Sequence, residues 1–294
     1  MSFRQPEDFE HKNVQLSEVN VHYVREGSGP PLLLLHGWPG FWWDWRYVID
    51  PLSEHFDVIV PDFRGSGDSE KPDLDDIAEY TMTKIADDQA EFLDALGVSE
   101  AFVLAHDFGS IVAHKFLRKY ADRVTKAVIL DPVTPGGYAA TGGAGTYRDV
   151  DWFAIYHQFD FALDIVSLSR DSRRIHYRYF MDEWSHRKPL LSDEEFEILI
   201  DNYMKPGNVH GGFNYDRANL ARTSKLWDVA DYNRSDIDVT VLWGASDIAV
   251  PSTGAAYLPQ FYSNYSLEMI EECGHFVMLE KPDVVIDRVK QAFL

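Results

Sequence analysis

The chain has 294 residues, 45% of them hydrophobic and 14% aromatic, enough for one large packed α/β domain with a sizeable insertion and incompatible with a disordered chain. Its 48 acidic residues against 27 basic ones give a formal net charge of −21, so nucleic acid and anionic membrane surfaces are excluded as partners by repulsion. The plain meaning of that charge is solubility.

Residues 14 to 25 alternate polar and apolar, the pattern of a hairpin with one covered face. Leu32 to Leu35 form an uninterrupted apolar run, as in a strand buried on both faces of a parallel sheet. It ends in the turn-rich His36-Gly37-Trp38-Pro39-Gly40. A helix is predicted through Val48 to His55 and a short buried strand at Val58 to Val60, followed by the loop Asp62 to Ser69. Thr83 to Leu96 has helical spacing of apolar residues closed by Gly97 as a C-cap. Ala101 to Leu104 is the next strand, running into Ala105-His106-Asp107-Phe108-Gly109 and a helix from Ser110 to Tyr120. Lys126 to Leu130 is another strand, ending at Asp131. Strands and helices alternating in this way imply a doubly wound, mostly parallel sheet.

That rhythm stops between about Pro135 and Ala221. A Gly/Ala-rich stretch, Gly136 to Gly145, reads as a loop, and Asp151 to Ser169, Asp171 to Trp184 and Asp193 to Met204 read as helices. Ser192 with Glu195 three residues on forms a capping box for the third. Strand signals return at Val239 to Trp243 and Ser266 to Ile270, before a terminal helix from Pro282 to Phe293. The organisation expected is an α/β core over residues 1–134 and 222–294, interrupted by a helical cap at 135–221. The lone Cys273 rules out an intrachain disulfide, the charged N-terminus lacks a signal-peptide core, and no apolar run approaches the ~18–20 residues needed to span a bilayer. A cytoplasmic location is expected; monomer and homodimer both remain open.

The chemistry centres on Asp107. Small residues around one reactive side chain, between a buried strand and a helix, describe a nucleophile elbow. The helix N-terminus that follows offers free N–H groups and a positive dipole. An aspartate here also reads as a helix N-cap. Two further segments favour catalysis. Gly244-Ala245-Ser246-Asp247 and Cys273-Gly274-His275-Phe276 each follow a strand, placing a carboxylate and a histidine at the same sheet edge in the order nucleophile, acid, histidine. Asp131 also ends a strand and is the alternative acid.

On these motifs, together with His36 to Trp43, Asp62 to Ser69 and His210-Gly211-Gly212-Phe213-Asn214-Tyr215, the chain resembles the α/β-hydrolase superfamily, and within it the microbial epoxide hydrolase family, over nearly its whole length. The resemblance implies an α/β-hydrolase fold and a cofactor-independent, metal-free conversion of epoxides to vicinal diols. In that scheme Asp107 forms an ester with a ring carbon. His275, oriented by Asp247, then activates the water that hydrolyses it, with the backbone N–H groups of Trp38 and Phe108 as the oxyanion hole. Relatives use two cap tyrosines to meet the epoxide oxygen. Tyr215 is matched to one of them. Phe153 stands where the other is expected, and Tyr156, three residues along the same predicted helix, is the candidate substitute. Trp38, Phe108, Phe153 and Phe213 suit an apolar pocket for a small neutral epoxide, with water as the second reactant.

Two other functions fit the same residues. A haloalkane or haloacetate dehalogenase uses the same aspartyl ester and needs no proton for its leaving group. Phe108 and Ile111, however, occupy the positions where those enzymes carry a halide-binding tryptophan or carboxylate-binding arginines. A non-catalytic ligand-binding homologue is the third reading, disfavoured because all three triad residues are present.

Overall fold

The computed structural model describes residues 3–133, 152–219 and 234–294. The apolar runs become strands of one sheet, eight-stranded among the described residues, in the order β1-β2-β4-β3-β5-β6-β7-β8. Strands β1 (His11–Gln15) and β2 (Asn20–Gly27) form the expected hairpin, and β2 pairs antiparallel with β4 (Asp57–Pro61). From there β3 (Pro31–Leu35), β5 (Ala101–His106), β6 (Val124–Leu130), β7 (Val239–Gly244) and β8 (Tyr265–Ile270) run parallel. The central strands are buried along nearly their whole length because helices cover both faces: Leu32 to Leu35 have no exposure at all. At the edge, β8 exposes most of its residues.

Helices α1 (Arg46–Ser53), α2 (Met82–Ala95) and α3 (Phe108–Lys119) lie where apolar periodicity places them. Between β6 and β7 come α4 (Trp152–Tyr156), α5 (Asp160–Ser167), α6 (Arg170–Glu183), α7 (Asp193–Met204) and α8 (Asn208–Asn219). The terminal helix Pro282–Phe293 has the predicted bounds.

Two features of the insertion differ from the sequence reading. The single helix expected over Asp151 to Ser169 is broken after Tyr156, where Phe159 turns extended (φ −97°, ψ 134°) and His157 is left fully buried. Helix α8 was not expected, since Gly211 and Gly212 lower helix propensity. Close packing is what requires them: a Cβ on Gly211 would lie 2.1 Å from the Gly65 carbonyl oxygen, and one on Gly212 would lie 2.9 Å from Trp38 Nε1. The Gly136 to Gly145 loop and the expected cap boundaries fall outside the described residues.

The insertion covers the carboxyl edge of the sheet. The His275 N–H donates to Trp184 O at 2.8 Å, and the Tyr203 hydroxyl donates to Pro39 O at 2.8 Å. Among the described residues no helix is long and apolar enough to cross a membrane.

Candidate active site

Strand β5 delivers Asp107 to the start of α3 with φ +52° and ψ −121°, a conformation that an L-residue adopts only under constraint. The constraint comes from its neighbours. A Cβ on Gly109 would lie 2.2 Å from Leu35 O, and one on Gly37 would lie 2.4 Å from the Asp107 Cβ. Only glycine lets α3 and the His36–Gly40 loop close around the elbow. That loop is fixed in turn by buried Asp62, which accepts from Trp42 N at 2.9 Å and from Asp68 N at 2.9 Å and bonds His22 Nδ1 at 2.7 Å.

The backbone N–H of Trp38 donates to Asp107 Oδ1 at 2.9 Å, and the adjoining Phe108 N–H favours the charged form of the carboxylate. His275 lies between two acids: its Nδ1 bonds Asp247 Oδ2 at 2.9 Å, and its Nε2 is 3.5 Å from Asp107 Oδ2. Asp247 is itself held by the N–H groups of Ala249 (2.8 Å) and Val250 (2.9 Å) on Oδ1. His106 Nε2 reaches the His275 carbonyl at 2.8 Å.

Burial opposes a charge on His275, yet Asp247 and Asp107 outweigh it and raise its pKa well above the usual histidine range. Burial alone would lift Asp107 as well. The nearby His275, 3.5 Å away, holds it below the ordinary carboxylate range instead. The two face each other at ion-pair distance in the resting site. Asp131 follows β6 at φ +44° and bonds Gly244 N at 2.8 Å through Oδ1, so Asp247, not Asp131, holds the His275 ring. Burial, then the nearby charge of Asp247, raises Asp131 well above its usual pKa.

The pocket above Asp107 is lined by Trp38, Phe108, Val133, Phe153, Trp184, Ala249 and Val250. It holds only about 10 Å³, so even a small ring must displace lining side chains on entry. Phe153 stacks parallel to Trp38 with centroids 6.2 Å apart, as an apolar wall residue would. Phe213 does not reach this pocket; it lies on His157 at 3.8 Å between centroids. Tyr156 lines a separate apolar groove with Trp152, Ile165 and Tyr179, not the pocket over Asp107. The hydroxyl of Tyr215 donates to Arg64 O at 2.6 Å, toward the Asp62–Ser69 loop. The match of Tyr215 to a ring-opening tyrosine thus meets a side chain whose one donor already has a backbone acceptor.

The sequence family described as alpha/beta hydrolase fold matches residues 30–282. The chain belongs to that family. A soluble epoxide hydrolase from Corynebacterium sp. (strain C12) is 32% identical over 96% of each chain. The solved structure of the epoxide hydrolase CorEH without ligand superposes with a TM-score of 0.83 at 29% identity, covering 97% of this chain and 98% of that one. A putative acyltransferase from Salmonella enterica superposes with a TM-score of 0.88 at 25% identity, covering 99% and 97%. Overall shape in this family therefore does not select the reaction; the site does.

In this α/β-hydrolase, sequence reasoning passed over several buried acids, one of them paired with a buried histidine. Asp216, the residue after Tyr215, is fully buried and bonded through Oδ2 to His157 Nδ1. No local signal marked it, because one sequence does not give the rotation of α8 about its axis. Among the described residues His106, Asp131 and His275 come within 4.8 Å of one another, as metal ligands would. Both His275 nitrogens face carboxylates, so a cation there would take His275 out of the triad.

Proposed function

We propose that this chain is an epoxide hydrolase working through an ester on Asp107. The observation that carries the reading is a carboxylate at a nucleophile elbow, with the Trp38 backbone N–H on it and a His–Asp pair beside it. The similarity to epoxide hydrolases along the whole chain supports it.

Asp107 attacks a ring carbon with one carboxylate oxygen, and the C–O bond of the ring breaks. Esterification removes one of the two anions that hold a proton on His275, so its pKa falls; it gives up that proton, which balances the one taken up by the opened ring oxygen, and becomes a base when one is needed. His275, oriented by Asp247, then takes a proton from water, which attacks the ester carbonyl. The Trp38 N–H already donates to this carboxyl and, with the adjoining Phe108 N–H, stabilises the oxyanion that develops. Collapse returns Asp107 as carboxylate and releases a diol. In this proposal residues 135–221 act as a cap over a core of 1–134 and 222–294. The substrate is a small apolar epoxide, no cofactor takes part, and the enzyme works in the cytoplasm.

Dehalogenation by the same ester is the second reading, favoured by one observation: neither Tyr156 nor Tyr215 presents a phenol to the Asp107 pocket. One experiment separates the two. His275→Gln is exposed to terminal epoxides and to haloalkanes or haloacids, and its intact mass is recorded. The expected result is a gain equal to the whole epoxide. A gain of the halocarbon less hydrogen halide makes this a dehalogenase, and no adduct with any compound overturns ester chemistry at Asp107.

A further inference from the structure

Helix α8 presents two adjacent stripes to the core. Gly211 and Tyr215, four apart, face the Asp62–Ser69 loop: the first packs on Gly65 and the second bonds Arg64 O. Gly212 and Asp216, also four apart, are rotated by about 100° about the helix axis. Gly212 lies against the Trp38 indole, whose own backbone N–H is on Asp107. Asp216 therefore lies on the Trp38 side of α8, one turn beyond Gly212. It stands behind the lining of the small pocket over Asp107: its partner His157 packs edge-on against Trp38 (centroids 5.1 Å apart) and Phe153 (5.9 Å), which line that pocket. Apart from burial, the charge that acts on it is that of Asp107.

The side chain has no exposure, and its ion-pair-distance partner among the described residues is His157. Among the described residues neither Oδ1 of Asp216 nor Nε2 of His157 has a hydrogen-bond partner. An isolated carboxylate in such a place is costly, so the group is held as the neutral acid. Burial first, and then the charge of Asp107, push it well above the ordinary carboxylate range. Burial, followed by the charge of Arg217, keeps His157 well below its usual value and therefore neutral. A neutral His157 donating from Nδ1 to Oδ2 leaves the acid proton on the unpartnered Oδ1. A purely structural Asp–His pair would be expected to satisfy that oxygen.

We propose that Asp216, oriented by His157, is the acid that protonates the epoxide oxygen as Asp107 opens the ring. The proposal rests on the epoxide hydrolase reading above. As the Asp107–carbon bond forms and the ring C–O bond breaks, the proton on Asp216 Oδ1 passes to the departing oxygen, giving a hydroxyalkyl ester and an Asp216 carboxylate that His157 Nδ1–H stabilises. The proton that His275 gives up on esterification passes through solvent to Asp216 and restores the acid. The proton that His275 then takes from water returns it to its resting protonated form, and epoxide plus water has become diol. The chain thereby opens epoxides although Phe153 carries no hydroxyl, Tyr156 lies in another groove and Tyr215 is engaged elsewhere. His157 is the positioning residue. The titratable or charged groups facing this pair are Asp107 at the start of α3 and Tyr203 on α7, with His176 on α6 and Arg217 on α8 against His157.

The test uses the full-length His275→Gln protein, in which the ester accumulates, with styrene oxide as probe and the rate of mass gain followed against pH. With Asp216 present the alkylation rate is expected to fall as pH rises through the Asp216 pKa, because the acid form is consumed. Asp216→Asn is expected to slow alkylation by ~10²-fold or more and to remove that pH limb, while Asp216→Glu restores part of the rate and the limb. His157→Gln is expected to shift the limb, so the idea remains testable if Asp216→Asn does not fold. An Asp216→Asn rate and profile equal to the parent, or a limb unmoved in both Asp216→Glu and His157→Gln, overturns the proposal and leaves epoxide hydrolysis intact. No adduct in the parent with any epoxide overturns the epoxide reading itself.

Discussion

Asp107 combines strain and electrostatics at one residue. Its φ of +52° costs on the order of 1–3 kcal/mol, offset by the packing of α3 on β3 and by the Trp38 N–H that donates to its carboxylate. The same geometry aims the side chain at His275. The proton on His275 is governed by the two acids around it, so Asp247 matters for orientation as much as for charge. Asp247→Asn keeps the size of the side chain and loses the charge. The expected outcome is a turnover lowered by ~10²–10⁴-fold with the Asp107 ester accumulating, read by quenched intact mass. A drop in turnover with no accumulated ester would place the loss in ring opening and contradict the role given to the His275–Asp247 pair. The meeting of Asp107, Asp247 and His275 was legible because each follows a strand of the parallel sheet, where backbone position alone fixes which edge it occupies. Asp216 was not legible, because neighbouring positions on a helix differ by about 100° and a single sequence does not give the helix its rotation.

The insertion is fastened to the core by its helix ends. Ser192 and Glu195 form the capping box of α7, as their spacing predicts, and the same Glu195 side chain also bonds the Arg46 guanidinium and accepts from the Tyr47 hydroxyl at 2.6 Å. Burial opposes its charge, but Arg46 and then Tyr47 outweigh it and lower its pKa from the usual 4.5 to about 2. A depressed carboxylate stabilises the folded state fully above its unfolded pKa and loses that contribution as pH falls through the folded one. The α7–α1 contact is therefore expected to weaken between about pH 4.5 and pH 2. Melting curves of wild type and Glu195→Gln check this. The variant is expected to melt lower at neutral pH, with the difference vanishing toward pH 2. A difference independent of pH would mean that packing, not charge, fastens the helix. The box was readable from a four-residue pattern, whereas the contact with Arg46, 149 positions away, was not.

Across the whole molecule the net charge of −21 dominates. Like charges repel over the surface of the compact state, and salt screens exposed charges beyond ~10 Å at 0.1 M. Local pairs such as Arg288–Glu268 (2.6 Å) and Lys205–Asp68 (2.7 Å) are partly exposed and individually contribute little. Raising sodium chloride from a few millimolar to several hundred is therefore expected to raise the melting temperature. A fall in calorimetry would show that the surface ion pairs outweigh the general repulsion.

The sequence by itself determined the sheet, the position of the triad and the presence of a helical insertion. These depend on local pattern: apolar runs make buried strands, turn residues end them, and every parallel strand ends at the same edge. Only the tertiary structure decided which cap side chains face the nucleophile. It broke the helix after Tyr156, formed α8 through two glycines, turned Tyr215 to Arg64 and left Asp216 on the inner stripe. Those outcomes depend on helix rotation and on contacts between residues far apart in the chain, which no local pattern encodes.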